Sequence, residues 1–161
     1  MARTRNSFRT FMVAVICAAL AAFARPSSTS ASLGGNFTSV EADQAKMQAS
    51  LKTTSKDLYS IHEIHVPNDV VVREFVSPAG SVFGVAWKGP ARPDLRQLLG
   101  PYFDAFAKAA QTQKTRRVGR GPLVILQAGL VVEMGGHTRS FFGRAYDPRM
   151  VPSGVPTEEI R

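Results

Sequence analysis

The sequence predicts an α+β domain, an antiparallel sheet carrying helical segments on one face. Three observations lead there. Residues 59–87 hold three short runs rich in β-branched and aromatic residues, each divided from the next by turn residues. Residues 95–110 place apolar side chains at spacings of three and four. Residues 123–146 form two further strand-like runs split by a glycine pair. Runs of strands interrupted by one helical stretch favour an antiparallel sheet over alternating βαβ units.

The chain opens on a segment of a different kind. Arg3, Arg5 and Arg9 stand in the first ten residues without an acid, and Phe11–Phe23 follows as an unbroken apolar run of thirteen residues. A basic start, an apolar core and then small residues describe a secretory signal peptide. Crossing a bilayer as a helix takes about 20 apolar residues, so thirteen is short for a permanent anchor. Two cuts fit the small-x-small rule, after Ala24 and after Ala31, and the texture change at Leu33-Gly34-Gly35 favours the second. The expected layout is a signal peptide over 1–31 and one small domain over 32–161, periplasmic or secreted, with no transmembrane helix after cleavage. Removing 1–31 takes away four arginines and no acid, so the net charge of +8 falls to +4. It also removes Cys17, the chain's one cysteine, which leaves no disulfide, thiolate or cysteine–zinc chemistry.

Within the domain, Thr38-Ser-Val-Glu41 matches a capping box and opens a short helix over about 39–50, closed by Thr53, Thr54 and Ser55. Tyr59–Val66, Val70–Val76 and Val82–Trp87 then read as a three-strand meander. Pro93-Asp94 opens the second helical region, where Leu95, Leu99, Tyr102, Phe103, Phe106 and Ala110 form an apolar face. Gly100-Pro101 should kink it or split it into two helices, because proline lacks the amide hydrogen and crowds the preceding turn. Gln111–Gly121 reads as a basic connector. Leu123–Met134 and His137–Tyr146 read as a closing hairpin through Gly135-Gly136. The proline-rich tail from Asp147 reads as a packed or extended strap.

Candidate chemistry is sparse. His62-Glu63-Ile64-His65 suggests a metal site, but metalloprotease histidines stand four apart on a helix. These stand three apart on a predicted strand, where alternation sends them to opposite faces. His137, Arg139, Ser140 and Arg144 share the last hairpin, yet Ser140 lacks the glycine-flanked elbow of an α/β-hydrolase nucleophile. Lys114–Arg120 packs four cations into seven residues and can meet phosphates or an anionic surface, without the aromatic residues that stack bases. No phosphate-binding glycine loop is present, and Trp87 beside Lys88-Gly89-Pro90 reads as core. Asn36-Phe37-Thr38 matches a glycosylation acceptor, a short pattern.

Several of these stretches together resemble a known family. Ser32–Gly35, Tyr59–Glu63, Val72–Gly80, Val85–Trp87, Pro93–Gly100 and Gly135–Arg139 are similar to an uncharacterised exported bacterial family, the domain of unknown function 2844. The resemblance spans about residues 32–161 and implies an envelope or secreted protein. It assigns no residue a role.

The sequence therefore favours a non-catalytic exported binding or accessory module, with no catalytic, cofactor or metal residue assigned and an envelope or extracellular partner rather than nucleic acid. Two alternatives stand beside it. One is a small exported hydrolase-like enzyme using His62 or His137 with a carboxylate such as Glu63. The other is an envelope surface protein using the basic 114–120 loop.

Overall fold

The computed structural model describes residues 32–36, 50–66, 68–116 and 121–161, with backbone alone at 114–116. The expected signal peptide, the capping box at Thr38, most of the expected 39–50 helix and residues 117–120 lie outside the described residues.

Seven strands form one sheet: β1 (Ser50–Ser55), β2 (Ser60–Val66), β3 (Val70–Val76), β4 (Val82–Gly89), β5 (Leu123–Gln127), β6 (Leu130–His137) and β7 (Ser140–Tyr146). Their order is β1-β2-β3-β4-β7-β6-β5, every neighbour antiparallel. The sheet is thus two meanders, β1–β4 and β5–β7, joined along β4 and β7. The α+β class holds, but the sheet is larger than a three-strand meander plus a hairpin.

Two corrections explain the extra strands. Thr53, Thr54 and Ser55 belong to β1, paired with His62, Ile61 and Ser60, and do not terminate a helix. Hydroxyl residues flank helices well, but threonine is equally at home on a pleated edge. The stretch 123–134 is likewise two strands, folded at Ala128-Gly129, where Gly129 takes φ 81°. The closing turn is Thr138-Arg139, with Arg139 at φ 63°. Gly135 and Gly136 stay inside β6 because the neighbouring strand comes close. A Cβ on Gly135 would lie 3.0 Å from the Phe142 ring, and one on Gly136 would lie 2.1 Å from the Ser140 carbonyl oxygen.

Between β4 and β5 the chain forms α1 (Leu95–Leu99), a 3-10 turn (Gly100–Tyr102) and α2 (Phe103–Arg116). Asp94 caps α1, accepting from the amides of Arg96 at 2.8 Å and Gln97 at 3.3 Å. Gly100-Pro101 splits the region into two helices, as proline chemistry requires. Helix α2 runs on to Arg116, so the basic stretch begins as helix rather than connector.

Both faces of the sheet are covered. On one face, Leu98, Leu99 and Phe106 pack with Ile64, Val72, Val85, Trp87 and Val132. Trp87 is core, its ring lying over Gly143 of β7. Segment 32–36 joins this face: Leu33 is fully buried and its amide donates to the Leu98 carbonyl at 2.9 Å. On the other face, Phe75, Phe83, Ala86 and Tyr146 pack under Val155 and Ile160 of the proline-rich strap. Phe83 reaches that face through a bulge, because it is the extra residue between Val82 and Gly84, the partners of Val76 and Phe75. Lying between two covered faces, Val82–Trp87 is buried at every position.

Candidate functional site

The histidines do not converge. His62 faces the helices and is 3% exposed, while His65 is exposed on the opposite face, as alternation along β2 dictates. His62 shares its ring nitrogens with the Thr53 hydroxyl at 3.2 Å and the Ser60 hydroxyl at 3.1 Å. Burial lowers its pKa. Glu63 lies on the strap face, where it accepts from Arg73 Nε at 2.7 Å and from His65 at 2.7 Å. The Arg73 guanidinium, above all, lowers the Glu63 pKa. His62 and Glu63 therefore sit back to back across the sheet.

The carboxylate beside His62 is Glu74, its cross-strand partner on β3, fully buried. The pattern Val70, Val72, Glu74, Val76 could have revealed it, since alternate residues of a strand share a face. Both members of this pair are buried. His137 is the reverse case, exposed at the end of β6 opposite exposed Ser140, with Nδ1 3.2 Å from the Thr138 carbonyl oxygen. Arg144 is committed elsewhere, holding Glu133 at 3.0 Å and the Thr157 carbonyl at 2.8 Å. Among the described residues no group of three His, Cys, Asp or Glu side chains could hold a metal ion.

Another polar cluster is architectural. Asp147, 1% exposed at the end of β7, accepts from Tyr102 at 2.7 Å and from Arg149 Nη2 at 2.6 Å. Arg149 foremost drives the Asp147 carboxyl down to about 2. The cluster ties the 3-10 turn to the strap.

Two recesses stand out among the described residues. A cleft of about 220 Å³ lies between the β2–β3 turn and α1, floored by Val70, Val72 and Leu98. Its polar rim is Asn68, Arg92, Asp94 and Gln97: Arg92 lies 4.9 Å over the Phe141 ring, Asp94 caps α1, and the buried Gln97 Nε2 is a donor without a partner.

The larger recess, about 350 Å³, is a groove between α2 and β5, lined by Lys108, Ala109, Thr112, Gln113, Leu126 and Gln127. Among the described residues β5 is the last strand of the sheet and pairs with β6 alone. Gln127 and Leu130 close the two-residue turn, so Gln127, Ile125 and Leu123 direct their backbone groups inward to β6. Val124 and Leu126 direct theirs outward. Gln113 Nε2 confirms the direction, donating to the Val124 carbonyl at 2.6 Å. The side chains of Val124 and Leu126 are 40% and 73% exposed on the strap face. Hydropathy reading missed this edge because an apolar strand looks the same whether it is central or terminal.

No helix among the described residues is long and apolar enough to cross a membrane. No curated protein and no solved structure matches the chain. The model of one family, described as a protein of unknown function (DUF2844), matches residues 29–160, most of the chain, and the chain belongs to that family.

Proposed function

We propose that the chain is exported and that its folded part acts outside the cytoplasm as a non-catalytic binding module. The observation that carries the binding half is the open groove beside β5, where an apolar strand presents outward backbone groups to a helix-walled recess. Exposed edges of this kind are used for recognition by strand addition. The export half is supported by the basic start and thirteen-residue apolar core. Burial of Ser32 and Leu33 agrees with it, since a cut before Ser32 leaves the packed residues intact.

Export is tested by intact-mass analysis of the protein after cell fractionation. A soluble envelope or medium species beginning at Ser32 supports the reading, and a membrane-pelleted chain retaining Phe11–Phe23 overturns it. Binding is tested by immobilising the exported protein against the envelope fraction of its source cell. Leu126→Asp, at a side chain 73% exposed, should lose the captured partner while keeping its melting temperature.

A further inference from the structure

We propose that the groove between α2 and β5 receives an extended acidic segment of a partner protein, which adds to the sheet edge as a further strand. The inference rests on the binding-module reading above and names its ligand.

The backbone argument comes first. An added strand pairs through the outward amides and carbonyls of Val124 and Leu126. The Gln113 carboxamide already occupies one of the positions such a strand would use, 2.6 Å from the Val124 carbonyl oxygen. It stands in for the amide of a missing neighbour and can swing aside on its own side-chain torsions. The other sheet edge is not equivalent. Its strand is Ser-Leu-Lys-Thr-Thr-Ser, mostly exposed, and it carries Lys52, the kind of polar and charged edge that discourages pairing. β5 is Leu-Val-Ile-Leu-Gln, without a charge, a proline or a bulge.

The charge argument fixes the class of partner. Among the described residues lining the groove, Lys108 is the one charged side chain. Beyond Asp104, the α2 sequence holds Lys108, Lys114 and Arg116 and no acid, and Arg117 and Arg120 follow in the chain. A cationic side chain, Lys108, on the wall beside an open strand edge suits a strand whose side chains alternate. One set, facing α2, is acidic; the other, lying over exposed Val124 and Leu126, is apolar. A second copy of this chain fits worse, because its own β5, Leu-Val-Ile-Leu-Gln, offers no acid to meet Lys108.

The probe is a fluorescein-labelled peptide of alternating valine and glutamate, about eight residues long to match a typical strand. Fluorescence anisotropy against the exported protein should show saturable binding. Raising salt from about 50 to 300 mM should weaken it several-fold. Lys108→Glu should weaken it about tenfold or more without altering the melting temperature. N-methylation of the peptide amides along one edge should abolish it, a control that leaves the protein untouched.

If a control peptide of alternating valine and lysine binds as well as the glutamate peptide, and N-methylation still abolishes both, strand addition stands and the acidic partner is overturned. Glutamate-peptide binding indifferent to N-methylation reports charge adsorption and overturns the inference. Binding by neither peptide overturns the open-edge reading itself. A dimer in sedimentation equilibrium that Leu126→Asp dissociates overturns the inference in favour of self-pairing.

Discussion

The two faces of the sheet are covered by different means. The helix face is closed mainly by aliphatic packing around two large aromatics, with Leu98, Leu99 and Phe106 set on Ile64, Val72, Val85, Trp87 and Val132. The strap face is closed by aromatic rings and anchored by charge. Tyr59, Phe75 and Phe83 lie with centroids 5.9–6.2 Å apart. Arg144, paired with Glu133, donates to the Thr157 carbonyl, and Arg73, paired with Glu63, donates to the Arg161 carbonyl at 3.0 Å. Tyr59 donates to the Glu159 carboxylate, and burial first, then this partner, pushes the phenol up to about 12. A helix satisfies its own backbone and needs only an apolar stripe to seat. A strap has few internal hydrogen bonds, so side chains of the sheet must hold its carbonyls.

The largest effects should come from the packed side chains. Phe83→Ala, at a fully buried ring under the strap, should cost about 3–5 kcal/mol in urea unfolding. Phe106→Ala on the helix face should fall at the lower end of that range, since Phe106 keeps 7% exposure. Equal small losses at both sites would show that neither face carries the core.

Asp147→Asn should come next, at about 1.5–3 kcal/mol near neutral pH, because it removes the charge from hydrogen bonds with Arg149 and Tyr102. The pH dependence has a definite sign. The folded-state carboxyl titrates near 2, below its unfolded value, so its contribution is complete above the ordinary carboxylate range and is lost as pH falls toward 2. Thermal melts between about pH 5 and 2 should therefore decline less steeply in Asp147→Asn than in the wild type. An identical slope would place the acid lability in other carboxylates such as Glu63.

A smaller effect, about 1 kcal/mol, is expected for Arg144→Met, which keeps the stem but releases Glu133 and Thr157. Proteolysis should then cut the strap faster while leaving the helix face protected, and unchanged cutting would show that apolar contacts alone hold it. Lys108→Ala, at an exposed position, should shift the urea midpoint little.

How far the sequence reveals this architecture varies with the residue. Alternation placed His62 and His65 on opposite faces, and the proline rule split the helical region at Pro101, because both rules depend on backbone geometry alone. Glycine was the weak signal. Gly135 and Gly136 look like a turn, but their role is to let Phe142 and the Ser140–Phe141 backbone approach, while Arg139 takes the left-handed turn position. The groove depends on which strand ends up at the sheet edge. That follows from the pairing of β4 with β7, a long-range choice with no local signature.

That same pairing has a kinetic consequence. Each meander closes through short turns, but β4 meets β7 only when residues as far apart as Gly84 and Tyr146 come together across the helical insertion. Loop closure over that distance is entropically costly, and folding slows as contacts lengthen in sequence. Until β7 arrives, Val82–Trp87 is an apolar strand with an open side. That interval is the one in which a holding chaperone would matter most, and the one in which crowded copies would aggregate.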